Sequence, residues 1–312
     1  NPRVYPVDLY YVRLDQPARR LVSGYFGPQI KKTLKMHKRR PLNIKRHFRL
    51  LVGAPILLVL IFAACFSSFL APADPIAIDT KNILKGPSRL HPFGTDQIGR
   101  DILSRVIYGA RVSLSVAVAA VFFATLVGVP LGLLASYIGG RFENILMRVI
   151  DVFVCLPEIF VAIVAMAFLE HSLRTLIFTI GLLYFPQFSR VTYSVASSIK
   201  TKDYILSAVT LGAGGPRIVF REILPNMASV IIVQISFTMS FAMLLEAGLS
   251  FLGLGVMPPQ PSWGQMAGTL KDFIFINPLL VVFPSMALFL AVFAINMIGD
   301  WLQDWLNPEI VR

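Results

Sequence analysis

Between residues 50 and 300 long apolar stretches alternate with short polar ones, and six of the apolar runs are long enough to cross a bilayer. They cover about Leu50 to Leu70, Val112 to Ser136, Ile145 to Leu169, Leu176 to Ser198, Met227 to Gly253 and Leu279 to Ile298. A hydrocarbon core of roughly 30 Å takes about 20 helical residues. The pattern therefore predicts an all-α, polytopic membrane protein with six transmembrane helices. Composition agrees: with 55% hydrophobic and 15% charged residues, too little polar surface remains to cover these runs inside a soluble core.

The runs divide the chain into a polar, basic arm (1–49), a first transmembrane helix (50–70), an outer segment (71–111), a transmembrane core of five helices (112–300) and a short tail (301–312). Pro2, Pro6, Pro17, Pro28 and Pro41 argue against a long helix in the arm. In the outer segment, Thr95 or Asp96 is expected to cap an amphipathic helix. Its apolar face is Ile98, Ile102, Leu103, Val106 and Ile107, and Gln97, Arg100, Asp101, Ser104, Arg105 and Arg111 point elsewhere. Such a helix suits the membrane interface, or a packing contact. Within the spans, Gly128 and Gly132 form a small-xxx-small pair that lets helices approach closely. Pro130, Pro157, Pro186 and Pro284 are expected to kink their helices.

A net charge of +12 in a soluble protein would suggest nucleic acid, but 13 of the 29 Lys and Arg precede the first span. They include Lys31-Lys32, Lys35 and Lys38-Arg39-Arg40, a topology signal suited to anionic lipid rather than to nucleic acid. The positive-inside rule puts the N-terminus in the cytoplasm, and six crossings return the C-terminus there. The segments Ser136 to Met147 and Lys200 to Arg221 are then cytoplasmic too. The outer segment weakens this pattern with Lys81, Lys85, Arg89, Arg100 and Arg105. No signal peptide is evident, and without an initial Met the natural start is expected upstream or processed. Cys65 and Cys155 lie in apolar runs and read as small core residues.

Catalytic equipment is missing from the sequence. It has no G-x-x-x-x-G-K-[ST] loop and no H-E-x-x-H, and His37, His47, His91 and His171 lack metal-ligand spacing. No catalytic or metal-binding residue is nominated. Energy for uphill transport would come from an ion gradient or from another subunit. Two carboxylates fall within spans, Glu158 after Pro157 and Glu246 in Leu244-Leu245-Glu246-Ala247-Gly248. Each either hydrogen-bonds to a neighbouring helix or lines a pathway, where it could meet a cationic group on a solute.

A polar interruption separates the fourth and fifth runs. It reads Asp203-Tyr204-Ile205-Leu206-Ser207-Ala208-Val209-Thr210-Leu211-Gly212-Ala213, a turn at Gly214 to Pro216, then Ile218 to Leu224-Pro225. Two short helices joined by a glycine turn, the second stopped by Pro225, are predicted.

This segment, 200–225, resembles the EAA loop of importer-type ABC permeases. Gly212, Ala208 and Leu224-Pro225 keep the motif's spacing, while Leu206, Ser207 and Glu222 depart from it. Three further stretches are similar to hallmarks of the second permease subunit of dipeptide, oligopeptide and nickel importers: His91 to Leu114, Leu249 to Gly264, and Asn296 to Pro308. The resemblance implies the importer permease fold and half of a pathway shared with a homologous second permease. It also implies two ATP-binding cassette ATPase subunits, an extracytoplasmic solute-binding protein, and a bacterial or archaeal plasma membrane. ATP and Mg would be used by the partners, with no cofactor bound by this chain. Asp203, Tyr204, Leu206, Ser207, Ala208, Gly212, Ala213, Leu224 and Pro225 would form the ATPase-coupling loop, resting more on shape and apolar contact than on a glutamate charge. Peptides are the favoured solute and nickel the alternative; a lone ion-coupled carrier is the reading from another class.

Overall fold

The computed structural model describes residues 44–306; residues 1–43 of the basic arm and the last six residues lie outside them. Among the described residues the regular structure is helical, and we label its main helices α1 (Ile44–Cys65), α2 (Ile102–Ile138), α3 (Gly140–Cys155), α4 (Glu158–Phe168), α5 (Leu173–Lys200), α6 (Asp203–Thr210), α7 (Leu224–Phe251), α8 (Trp263–Leu270) and α9 (Leu279–Leu306).

The expected count of six crossings is not reproduced. Four helical runs are long and apolar enough to cross a membrane: Phe48–Cys65, Ile102–Ile138, Gly215–Phe251 and Leu279–Leu306. The third predicted run is broken, with α3 and α4 meeting at 88°, and counts as a fifth if the pair is one span. Leu156 and Pro157 are extended at the break, and Pro157 takes the cap position of α4. Helix α5 has the length, at 28 residues, but is too polar in its second half to pass on hydropathy.

The centre of the fold is the contact of α2 with α5, and glycines set its closeness. A Cβ on Gly128 would lie 2.5 Å from the Phe185 carbonyl oxygen, and one on Gly132 would collide with that of Ser189. Ser189 and Thr192, both buried on α5, fill the facing positions. The apolar core continues through Ala117, Ala120, Ile180, Tyr184, Met227, Met243 and Ala291, which ties α7 and α9 to the central pair. Pro130, Pro186 and Pro284 are accommodated inside α2, α5 and α9.

The outer segment departs from its sequence reading. The helix starts at Ile102, not near Gln97, and its cap is Asp101, which accepts the Ser104 amide at 2.7 Å. It then runs without a break into the second span. Asp96 organises a tight turn instead, accepting the amides of Ile98 and Arg100. Arg100, Asp101, Ser104 and Arg105 of the supposed polar face are interior, while Arg111 is exposed; Arg105 donates to the Pro75 carbonyl at 3.0 Å and to Gln265 on α8 at 3.3 Å. The two cysteines are exposed rather than core residues.

Candidate functional site

The polar interruption forms a protrusion at one end of the bundle. Its first helix, α6, ends in a Schellman motif: the Ala213 amide donates to Ala208 O at 3.0 Å and the Gly212 amide to Val209 O at 3.0 Å. Gly212 has φ of 81°, a left-handed conformation that closes the helix and that side chains with a Cβ adopt at a cost. Gly215 then passes against the ring and hydroxyl of Tyr137, where any Cβ would collide.

Pro225 does not stop the second helix. Ile218–Ile223 is a π-helical turn, in which the Leu224 amide reaches back five residues to Val219 O, and α7 follows at once. Proline has no amide hydrogen for the carbonyl four residues back, so the wider turn takes up the local mismatch. The protrusion and α7 are therefore one helical run, Gly215–Phe251.

The residues of this loop have unequal surroundings. Tyr204, Leu206 and Leu211 are exposed apolar or amphipathic groups, Leu211 at 88% exposure, and Phe220 joins them. Asp203, Ser207 and Pro225 are also exposed, Ala208 and Ala213 partly buried, and Leu224 packs on the core. Ile205, Ile218 and Ile223 are buried and anchor the protrusion to the bundle. Ser207 satisfies its hydroxyl locally, donating to Asp203 O at 2.9 Å. One face is thus fastened while the other is an apolar surface in the open.

The two carboxylates also differ. Glu158 sits at the α3–α4 break, accepts from Gln187 of α5 at 2.6 Å, and borders a small pocket with Phe153, Leu156, Val161 and Leu183. Glu246 is wholly buried in α7: Ser250 donates to its Oε1 at 2.8 Å, and Oε2 has no partner among the described residues. Ser250 in turn accepts the Val256 amide at 3.1 Å, so Glu246 supports the turn that leads to α8.

A charged network at the opposite end had no counterpart in the site reading of the sequence. Asp96 holds Arg100 Nε at 2.6 Å and lies 3.7 Å from Arg105 Nε, with all three side chains buried. His91 Nδ1 is 2.9 Å from the Asp101 carboxylate. Trp263 donates its indole hydrogen to Val106 O at 2.9 Å and lies against Gly109. The Thr-Asp and Ser-Trp-Gly motifs were visible in the sequence; their meeting across 160 residues was not.

Residues 128–312 match the family model described as "Binding-protein-dependent transport system inner membrane component". The chain is 38% identical over 268 residues to the dipeptide transport system permease protein DppC of Alkalihalophilus pseudofirmus, covering 86% of this chain and 88% of that one. It is 36% identical to the glutathione transport system permease protein GsiD of Pectobacterium atrosepticum, with 86% and 89% covered. It is also 36% identical to the di/tripeptide transport system permease protein DppC of Pseudomonas aeruginosa, with 83% and 87% covered. A solved structure of the MetNI methionine ABC transporter in an inward-facing conformation shares the fold: the TM-score is 0.56 at 18% identity, covering 66% of this chain and 97% of that one. An all-helical bundle, a fastened protrusion with an apolar outer face and these matches converge: this chain belongs to the family of inner membrane components of binding-protein-dependent transport systems.

Proposed function

We propose that this chain is the permease subunit of an ATP-driven importer of di- or oligopeptides. The observation that carries the reading is the run of three relatives named for dipeptide, di/tripeptide and glutathione transport, each matched over more than four fifths of both chains. It would form half of the pathway with a homologous permease, above two ATPase subunits and beneath a solute-binding protein, with both termini in the cytoplasm.

Coupling would run through Asp203 to Pro225. The geometry supports this because Leu206, Leu211 and Phe220 are exposed apolar residues on a pair of short helical segments that Ile205 and Ile218 anchor to the bundle. A contiguous exposed patch of this kind on a rigid element marks a docking site. Docking on shape and apolar contact needs no glutamate at position 206. Nucleotide-driven closure of the ATPase pair would bias the permease between two states. Glu158, at the helix break, lines the pathway in this proposal, and Glu246 braces α7 against the turn beneath α8.

The test is reconstitution of the complete complex in proteoliposomes. Dipeptide uptake that needs both ATP and the binding protein is the expected result. Uptake by this chain without ATPase subunits would establish a lone carrier instead, and ATP-driven nickel uptake without peptide uptake would move the solute assignment to a metal.

A further inference from the structure

The second half of α5 carries a polar face where a membrane helix should be apolar. In the first half, Phe178 and Leu182 point outward, at 56% and 51% exposure. Beyond Pro186 the outward residues are Arg190, Ser194 and Ser198. This stretch does not simply stand clear of the bilayer, because hydrogen bonds fix its level against α2. Ser189 Oγ donates to Gly128 O at 2.9 Å and Ser197 Oγ to Ser136 Oγ at 3.1 Å. At those levels α2 turns Leu126 and Leu134 outward, at 60% and 46% exposure. One helix offers hydrocarbon to its surroundings while its neighbour, at the same depth, offers hydroxyls and a guanidinium.

The partners of that face run in step along the broken span. Gln187 meets Glu158, Arg190 Nη1 lies 3.2 Å from Asp151, and Tyr193 donates to Glu143, an antiparallel series spaced three residues apart on α5. The Arg190–Asp151 pair is half exposed, at 51% and 48%. Ionised groups facing lipid at this depth are strongly disfavoured, so such residues border water or protein. Discontinuous helices in transporters are tolerated where they border a cavity.

We infer that the Gln187–Ser198 face of α5, with Asp151 and Glu158 opposite, lines a water-filled part of the pathway and presents a guanidinium to an anionic group on the solute. The inference rests on the permease reading and sharpens it. A short peptide is zwitterionic, so its carboxylate suits Arg190 and its ammonium suits Glu158, while the first half of α5 faces lipid.

Cysteine labelling in the full complex tests the wet face. Cys65 and Cys155 are replaced by Ser, single cysteines are placed at Ser194, Ser198, Leu182 and Leu134, and open membrane sheets are treated with a membrane-impermeant cationic thiosulfonate. Labelling at 194 and 198 at least tenfold faster than at 182 and 134 is expected. Equal rates overturn the inference, since the face would then be covered by protein or by lipid. Labelling does not depend on the solute, so this failure is separable from failure of the peptide reading. The charge assignment is read by dipeptide uptake. Arg190→Gln is expected to lose about tenfold and Asp151→Asn, which leaves the guanidinium in place, less than threefold. Equal losses would make the pair a structural brace and overturn the solute role.

Discussion

Ser189 donates its hydroxyl hydrogen to the main-chain oxygen of Gly128 at 2.9 Å, and this bond is possible only because Gly128 has no side chain to hold the two helices apart. Gly128→Val would drive carbon into the Phe185 carbonyl and force α2 away from α5. Overpacking of this kind costs about 1–3 kcal/mol. We expect a lowered thermal midpoint of the detergent-solubilised complex, with Gly248→Ala as a milder comparison, because that glycine lies within a helix and a Cβ there meets nothing within 4 Å.

Gly212 makes a different demand. Open space surrounds it, so a Cβ meets nothing within 4 Å, and the cost of substitution lies in its φ of 81°. Gly212→Ala should weaken the α6 terminus by about 1–2 kcal/mol, and Gly212→Asn by less, since Asn tolerates the left-handed region better. The ATPase activity of the reconstituted complex, ranked Gly above Asn above Ala, is the check. A bulky residue that left ATPase subunits bound and uptake unchanged would remove the coupling role from this turn.

The apolar outer face of the protrusion gives a third expectation. Leu211→Asp places a charge on the most exposed apolar residue of the loop without touching Ile205 or Ile218. Retention of the ATPase subunits during purification should fall about tenfold, a loss of roughly 1.4 kcal/mol. The permease itself should keep its thermal stability.

Asp96 holds two buried guanidinium groups, so Asp96→Asn would leave Arg100 and Arg105 short of counter-charge. Breaking a buried pair from one side costs about 3–5 kcal/mol. The variant should unfold at lower temperature and become sensitive to proteolysis between residues 71 and 101. Arg49, half exposed beside Asp304 at 3.0 Å, should tolerate Arg49→Gln within about 1 kcal/mol.

The existence of the apolar helices was legible in the sequence because each run satisfies a length criterion by itself. Their ends were not. Asp96 and Asp101 are both good helix caps by residue type, and the choice between them was made by Arg105 and by Gln265, which is 160 residues away in sequence. The break at Leu156 and Pro157 hid inside an unbroken apolar run, where only the proline marked it. Pro225 misled for a local reason: a rule for α-helices does not anticipate a π turn. Glu158 and Glu246 looked alike on paper, and packing alone separated a carboxylate at a cavity's edge from one sealed among serines. Arg190 carried a usable signal, a charge far from either end of the least apolar of the long helices, which becomes informative once the neighbouring helix shows the depth.

The π turn ahead of Pro225 gives the molecule a rod in place of a joint. From Gly215 to Phe251 the helical run covers 37 residues, about 55 Å, and its far end abuts Gly264 and Gly268 of α8 so closely that neither position admits a Cβ. Motion imposed at the protrusion has no slack segment in which to dissipate. If docking at the protrusion tilts the rod, the tilt would reach α8 with no flexible joint in between to absorb it.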